Sequence, residues 1–294
     1  MDINDVNWSI ELDGEHFELN VDGDIVQGCH WKCQTDPEYV ILFFHGLASN
    51  MEFNANFTRV FPSLHASCLA TDHVGNGFSM TRTSSEGTTI AQETTTVDQI
   101  VDEIIELITY ARKIYPTTPM FLMGHSLGGL SLLYLACNKK DKEKYDFITQ
   151  AIKGIIVHGP WIDTDEKRKP GFLKLTALTM MAYVYPTYKI DSGLKIQASK
   201  YPDGYKQAAL SSSHINPYMS ARLLNSVFKA QSFVQDDGGD SYPDSIPLFF
   251  MQRDDDDCVN KDANIAWAAK LAKSRNKDDS NVSKMRKNVS SFQK

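Results

Sequence analysis

Five consecutive residues carry the strongest chemical signal in the chain: Gly124-His125-Ser126-Leu127-Gly128. Met120-Phe121-Leu122-Met123, just after Pro119, read as a short buried strand, and Leu127 to Ala136 (LGGLSLLYLA) as an apolar helix. A strand that turns this abruptly into a helix tolerates only tiny residues beside its apex, because the backbone folds back on itself there. The apex residue is driven towards unfavourable φ/ψ, and its side chain projects beyond the end of the sheet. A serine hydroxyl held there, with a helix start behind it, is a candidate nucleophile. A glycine-rich turn with a capping serine matches the same five letters, and the flanking strand and helix favour the nucleophile. A second reactive cluster, Asp254-Asp255-Asp256-Asp257, follows Arg253 just beyond the apolar run Pro247 to Met251. It lacks the regular oxygen spacing of a calcium loop. Cys29 and Cys33 lie four residues apart, but no second pair completes a metal site among the five scattered cysteines. No metal and no cofactor are expected.

The elements that must position these groups can be read in order. His16 to Asn20 and Asp24 to Trp31 form an outer hairpin across Val21-Asp22-Gly23. Tyr39 to Phe44 (YVILFF) is uninterrupted and apolar, as in a strand buried on both faces, and His45-Gly46-Leu47-Ala48 follows at once. Ser67 to Thr71 is a second buried run. A helix starts at Thr95, with Val97, Ile100, Val101, Ile104, Ile108, Ala111 and Ile114 on one face. Asp98, Asp102, Glu103 and Glu106 are assigned largely to the opposite face, and Tyr115-Pro116 ends the helix. After the Ser126 unit, Ala151 to His158 is another buried strand. Strands alternating with helices indicate a mostly parallel sheet with helices on both faces.

The expected domains are a core over residues 1–159, an inserted, mainly helical cap over 160–242, a return to the core over 243–272, and a tail over 273–294. In the cap the strand–helix alternation breaks, and Phe172 to Tyr185 (FLKLTALTMMAYVY) is apolar on several faces. In 243–272 the sheet is restored at Pro247 to Met251. A helix follows over Asn260 to Ala272, with Ile265, Ala268, Ala269 and Ala272 close to one face. The tail carries seven Lys/Arg against two Asp and is expected to be poorly ordered.

Bulk composition narrows the class. The 294 residues are 42% hydrophobic and 23% charged, ordinary for a soluble globular chain of one large α/β domain with an insertion. A net charge of −7 gives no general attraction for nucleic acid. The acidic, polar N-terminus does not read as a signal peptide, and no apolar run reaches membrane-spanning length. Few, unpaired cysteines suit a reducing, cytoplasmic setting.

Four ordered segments together resemble the monoglyceride lipase family of α/β-hydrolases, the group also labelled serine aminopeptidase-like or lysophospholipase-like. They are Phe44-His45-Gly46, Asp72-His73-Val74-Gly75-Asn76-Gly77-Phe78-Ser79, Tyr115-Pro116 before Met120 to Gly129, and Pro247 to Val259. The resemblance implies that Ser126 attacks an acyl carbonyl and that the backbone N–H groups of Leu47 and Leu127 hold the oxyanion. It implies packed or turn-stabilising roles for His45 and His125. It places the acid nine residues after Pro247, at Asp256, with Asp254 as the alternative register. Arg253 departs from the family's usual glycine.

The family's chain order is Ser, acid, His. Here no histidine follows His214, so the expected position beyond Asp256 holds none. The family would place it after a last strand, before a last helix; both are expected to be missing here, and Lys284 to Phe292 is a candidate remnant of that strand. Three explanations stand side by side: a truncated or mis-spliced enzyme, a non-catalytic relative that binds acyl ligands, or a substitute base from His158 or His214.

The resemblance makes hydrolysis of a small lipid-like ester, of monoacylglycerol or lysophospholipid type, the leading function. Acyl-ligand binding and a peptidase are the alternatives. Phe172, Leu175, Leu178, Met180, Met181, Tyr183 and Val184 are candidates either to line an apolar passage to Ser126 or simply to pack the cap onto the core. Peripheral membrane contact through the cap is a further expectation.

Overall fold

The computed structural model describes residues 12–83, 85–92, 95–191, 218–236, 238–256 and 258–275. In the first half, β1 (Glu15–Val21), β2 (Asp24–Trp31) and β3 (Tyr39–Phe44) precede a helical turn α1 (Ala55–Thr58) and β4 (Ala66–Thr71). Next come β5 (Thr81–Thr83), β6 (Thr89–Ala91), α2 (Val97–Ile114), β7 (Met120–His125) and α3 (Leu127–Cys137). The second half holds α4 (Lys142–Ala151), β8 (Gly154–His158), α5 (Phe172–Val184), β9 (Lys189–Asp191) and β10 (Tyr218–Ser220). It closes with α6 (Ala221–Asp236), α7 (Gly238–Ser241), β11 (Leu248–Met251) and α8 (Lys261–Arg275).

Seven strands form the main sheet in the order β1-β2-β4-β3-β7-β8-β11. The run β4-β3-β7-β8-β11 is parallel, and β1 and β2 pair antiparallel at one edge. This is the mostly parallel, helix-covered sheet of an α/β-hydrolase. The pleat explains why β3 reads as a continuous apolar run. Val40, Leu42 and Phe44 point into the cluster that includes residues of α2, α3 and α6, while Ile41 and Phe43 point into a second cluster with Trp31, Met51 and Cys68. Helix α2 starts at a reciprocal cap: Thr96 Oγ1 accepts from the Gln99 amide and Gln99 returns a bond to the Thr96 amide.

Three expectations need correction. Glu103, assigned to the polar face of α2, is fully buried, because a partner from another element waits there; Ile114 at the helix end is 38% exposed. The helix of α8 buries Asn264, Trp267 and Leu271, while Ile265 is 42% exposed. Trp267 stacks on Phe250 of β11 with centroids 6.0 Å apart, and so large a ring outweighs a stripe of alanines. Residues at the start of the expected strand Ala151–His158 instead end helix α4, whose N-cap Asp141 accepts from the Lys144 amide.

Within the segment expected as a cap, α5 is mostly solvent-facing, whereas α6 buries Leu223, Val227, Ala230 and Val234 in the core cluster. Among the described residues the sheet ends at β11, where Phe249 is 60% exposed. The segment Lys284 to Phe292, most of the basic tail and His214 lie outside the described residues.

Leu122 is fully buried at the centre of the sheet. Leu122→Ala is expected to cost about 2–5 kcal/mol in urea unfolding. Phe249→Ala, at the exposed edge, should cost less than about 1 kcal/mol by the same measurement.

Candidate active site

Ser126 sits between β7 and α3 with φ 50° and ψ −108°, a backbone conformation that a residue with a Cβ rarely adopts. Three main-chain bonds hold it there: its N–H donates to His158 O at 3.1 Å, and its carbonyl accepts from the Leu130 and Trp161 amides at 2.9 and 3.0 Å. The glycines of the motif are needed for clearance. A Cβ on Gly124 would stand 2.6 Å from the Gly128 carbonyl carbon, and one on Gly128 would overlap the carbonyl oxygen of Phe44. From the neighbouring strand end, Gly46 presses on the turn, its Cβ position 3.1 Å from Ser126 Cβ. Gly128 N–H then donates to His45 O at 3.1 Å and ties that loop to α3.

Ser126 and Leu47 line a cavity of about 240 Å³. Its other walls include Trp161, Met219, Leu224, Phe228 and Val259, with Arg168, Asp191 and Cys258 as polar neighbours. Among the described residues, the amides of Leu47 and Leu127 donate to no one. Leu127 N–H opens helix α3, where the helix dipole favours negative charge. The residues of α5 expected to line the passage do not reach this cavity: Phe172 and Val184 are each 82% exposed and Met180 64%. Met219, Leu224 and Phe228, from β10 and α6, line it instead, because α6 is the element packed on the core.

Behind the His45 loop lies a buried polar cluster. Asp72 accepts from the Met51 and Phe78 amides at 2.6 and 2.8 Å. Burial lifts its pKa to about 7 against those two bonds. His45 Nδ1 donates to Gly46 O at 2.7 Å, and its Nε2 accepts from the His73 amide at 3.1 Å. Since a carbonyl only accepts, His45 carries its proton on Nδ1. Burial, then the nearby His73, keeps its pKa far below the ordinary histidine value. His73 meets Glu103 Oε2 at 2.7 Å through Nδ1 and His45 O at 3.2 Å through Nε2, while Glu103 Oε1 accepts from the Val74 amide. Burial pulls His73 down, and Glu103 more than compensates, leaving its pKa raised. Glu103 is thus the residue that helix periodicity missed: a carboxylate on an apolar face that answers a histidine 30 positions away.

The acidic run divides sharply. Asp256 Oδ1 accepts from the Cys258 and Val259 amides at 2.9 and 3.2 Å, and Oδ2 from Gln252 Nε2 at 3.1 Å. Gln252 is in turn fixed by Asn264 Nδ2 at 2.6 Å. A Cβ on Gly159, just after β8, would lie 3.3 Å from Asp256 Oδ2, so this carboxylate faces the same strand ends as Ser126. Asp254 and Asp255 are exposed, and Asp255 pairs with Arg253 at 2.9 Å. Asp257 lies outside the described residues.

No described histidine hydrogen-bonds Ser126 Oγ. His158 lies between Asp256 and the serine in sequence space and in the sheet, yet its Nδ1 is engaged by His125 Nδ1 at 3.1 Å. Burial, then His158, holds His125 at a pKa of about 4. Burial also lowers His158, with Asp256 opposing.

A family model described as serine aminopeptidase, S33, matches residues 35–281. The chain is similar to the monoglyceride lipase of Rattus norvegicus, 24% identical over 217 residues that cover 72% of this chain and 66% of that protein, just under two thirds of its length. Two of the solved structures that share the fold are lipases. One is a soluble variant of the Saccharomyces cerevisiae monoglyceride lipase with a substrate analogue (TM-score 0.67, 18% identity, 87% of this chain and 82% of that one). The other is the monoacylglycerol lipase of Paleococcus ferrophilus (TM-score 0.65, 18% identity, 84% of both chains).

Glu103→Ala should cost about 3–5 kcal/mol in urea unfolding, because it strands a buried histidine without its counter-charge. Stability should also fall between pH 6.5 and about 4. There the unfolded chain binds protons that His30, His45, His125 and His158 refuse when folded, at up to about 1.4 kcal/mol per pH unit each. Asp72 works in the opposite sense over that window and His73 at its upper end, two groups against four. Urea midpoints at pH 7, 6 and 5 check the sign; equal or rising midpoints on acidification would contradict it.

Proposed function

We propose, from the premise that the chain belongs to the serine aminopeptidase S33 family as a monoglyceride lipase-like α/β-hydrolase, that it acts on carboxylic esters of single-chain lipids through Ser126. One observation carries the reading: a serine at φ 50°, on the wall of a largely apolar cavity that Leu47 shares, with the Leu47 and Leu127 amides donating to none of the described residues. In the proposed reaction Ser126 Oγ attacks the ester carbonyl, and its proton leaves to a base. The Leu47 and Leu127 amides receive the charge that develops on the carbonyl oxygen, a contribution of about 2.7–4 kcal/mol per donor in comparable sites. The departing oxygen takes the proton back from the base and leaves as the alcohol, and water then cleaves the acyl-serine to a carboxylic acid and the free Ser126 hydroxyl. Monoacylglycerol and lysophospholipid both fit an apolar acyl wall that also carries the polar residues Thr164, Arg168 and Asp191.

Asp256 stands ready as the acid, with three hydrogen bonds fixing its carboxylate, while the proton acceptor is the weak part. With no histidine among the described residues on Ser126 Oγ, turnover is expected to fall towards the residual acceleration of about 10³–10⁴ over water that binding and an oxyanion site supply alone. That weakness favours a second reading, an acyl-ligand binding protein that keeps the cavity. The apolar lining speaks against a peptidase.

The exposed apolar face of α5 suits shallow contact with a lipid surface. Phe172, Leu173, Tyr183 and Val184 are each at least three-quarters exposed, and Lys174 lies among them. Among the described residues no helix is long and apolar enough to cross a membrane.

A fluorophosphonate probe separates the readings. The hydrolase reading expects Ser126 to be labelled slowly, and Ser126→Ala to abolish labelling as read by mass spectrometry. Tight fatty-acid binding with no labelling of Ser126 over hours supports the binding protein and removes the enzyme.

A further inference from the structure

A second, larger cavity of about 580 Å³ lies on the other side of α6 from the serine. The helix separates the two. Leu224 and Phe228 face the Ser126 cavity, while Arg222, Asn225, Ser226, Lys229 and Phe233 recur at helical spacing on the opposite side. The facing walls are the start of α2, Tyr134 of α3, and Ala182, Tyr183 and Pro186 at the end of α5. No residue is shared between the two cavities.

Most polar groups of this wall are already spent on one another. Ser226 Oγ accepts from the Val97 amide at 3.1 Å, and Asn225 Oδ1 accepts from Thr179 Oγ1 at 3.1 Å. Tyr134 OH donates to Asp98 Oδ1 at 3.2 Å. Arg222 and Lys229 are the exception. Among the described residues neither has a carboxylate within ion-pair distance, and Lys229 Nζ lies only over the Tyr183 ring, 6.0 Å from its centroid. The two stand two helical turns apart, about 10 Å along the axis, a span that two long side chains can close onto one head group. The positive end of α2 opens into the same space, and Asp98 is the one acidic residue on the wall.

We infer that this cavity is a second ligand site, for a single-chain amphiphile with an anionic head: a fatty-acid carboxylate held by Arg222 and Lys229 with its chain on Tyr134, Tyr183 and Phe233. The cations supply charge-assisted hydrogen bonds, and the aromatic wall supplies an apolar bed for the chain. A bare inorganic anion leaves that bed unused, and a neutral ester leaves both cations unused. The site does not depend on turnover at Ser126.

Photolabelling of the full chain with laurate carrying a terminal diazirine tests the assignment, with labelled residues located by mass spectrometry. Labels on Tyr134 or Phe233 report the second cavity, and labels on Trp161, Met219 or Val259 report the serine cavity. The expected result is labelling of both sets. Excess laurate should suppress the first set and methyl laurate should not. Arg222→Glu with Lys229→Glu should weaken the first set about a hundredfold, the size of two lost charge-assisted hydrogen bonds, and leave the second unchanged. Arg222→Lys with Lys229→Arg should restore it. Labels confined to the serine cavity overturn the inference. So does a first set that survives charge reversal or yields equally to methyl laurate, since that is greasy surface contact alone. Loss of both sets under charge reversal also overturns it, because the two cavities then do not bind separately.

Discussion

The whole site depends on how closely α3 approaches the end of β3. Gly128 sits against the Phe44 carbonyl with no room for a methyl group, and its N–H reaches the carbonyl of His45. That approach has two consequences at once. It bends the chain so hard at Ser126 that the residue takes up a positive φ, and it brings the His45-Gly46-Leu47 loop against the serine. Strain of this kind, on the order of 1–3 kcal/mol, persists only where the surroundings over-determine the backbone. Here the surroundings are two buried strands, a helix and bonds to His158, Leu130 and Trp161.

The loop on the other side of the serine is stabilised from below by charge rather than by packing alone. His45, Asp72, His73 and Glu103 are all at most 1% exposed, and each of their hydrogen-bonding atoms answers a backbone group or another member. Burying four titratable groups is costly unless they are paired, so the cluster is sensitive to any single loss. Two histidines close to the serine are poor bases for separate reasons. His45 spends both nitrogens on the backbone, and His125 is held near pKa 4 by burial.

Helix α6 decides what surrounds the site. It lies inside the segment whose composition suggests a lid, yet its apolar face is part of the core and its two flanks serve different cavities. Helix α5, apolar almost all round, has no such anchoring face and leaves most of its large side chains in solvent. The two helices differ in pattern. The residues of α6 alternate by face, and those of α5 do not.

Sequence alone determined the parts that rest on local pattern. The buried run of β3, the periodicity of α2 and the Gly-x-Ser-x-Gly turn each follow from spacing, because side-chain direction repeats every two residues in a strand and every three to four in a helix. Tertiary structure alone decided everything that joins distant positions. Glu103 looks like a surface charge until His73 comes to meet it. Ile265 looks like a core residue until Trp267 finds Phe250, and three neighbouring aspartates look alike until only Asp256 turns towards the end of β8. In each case the deciding contact lies many residues away, and its energy exceeds the local preference that the pattern records.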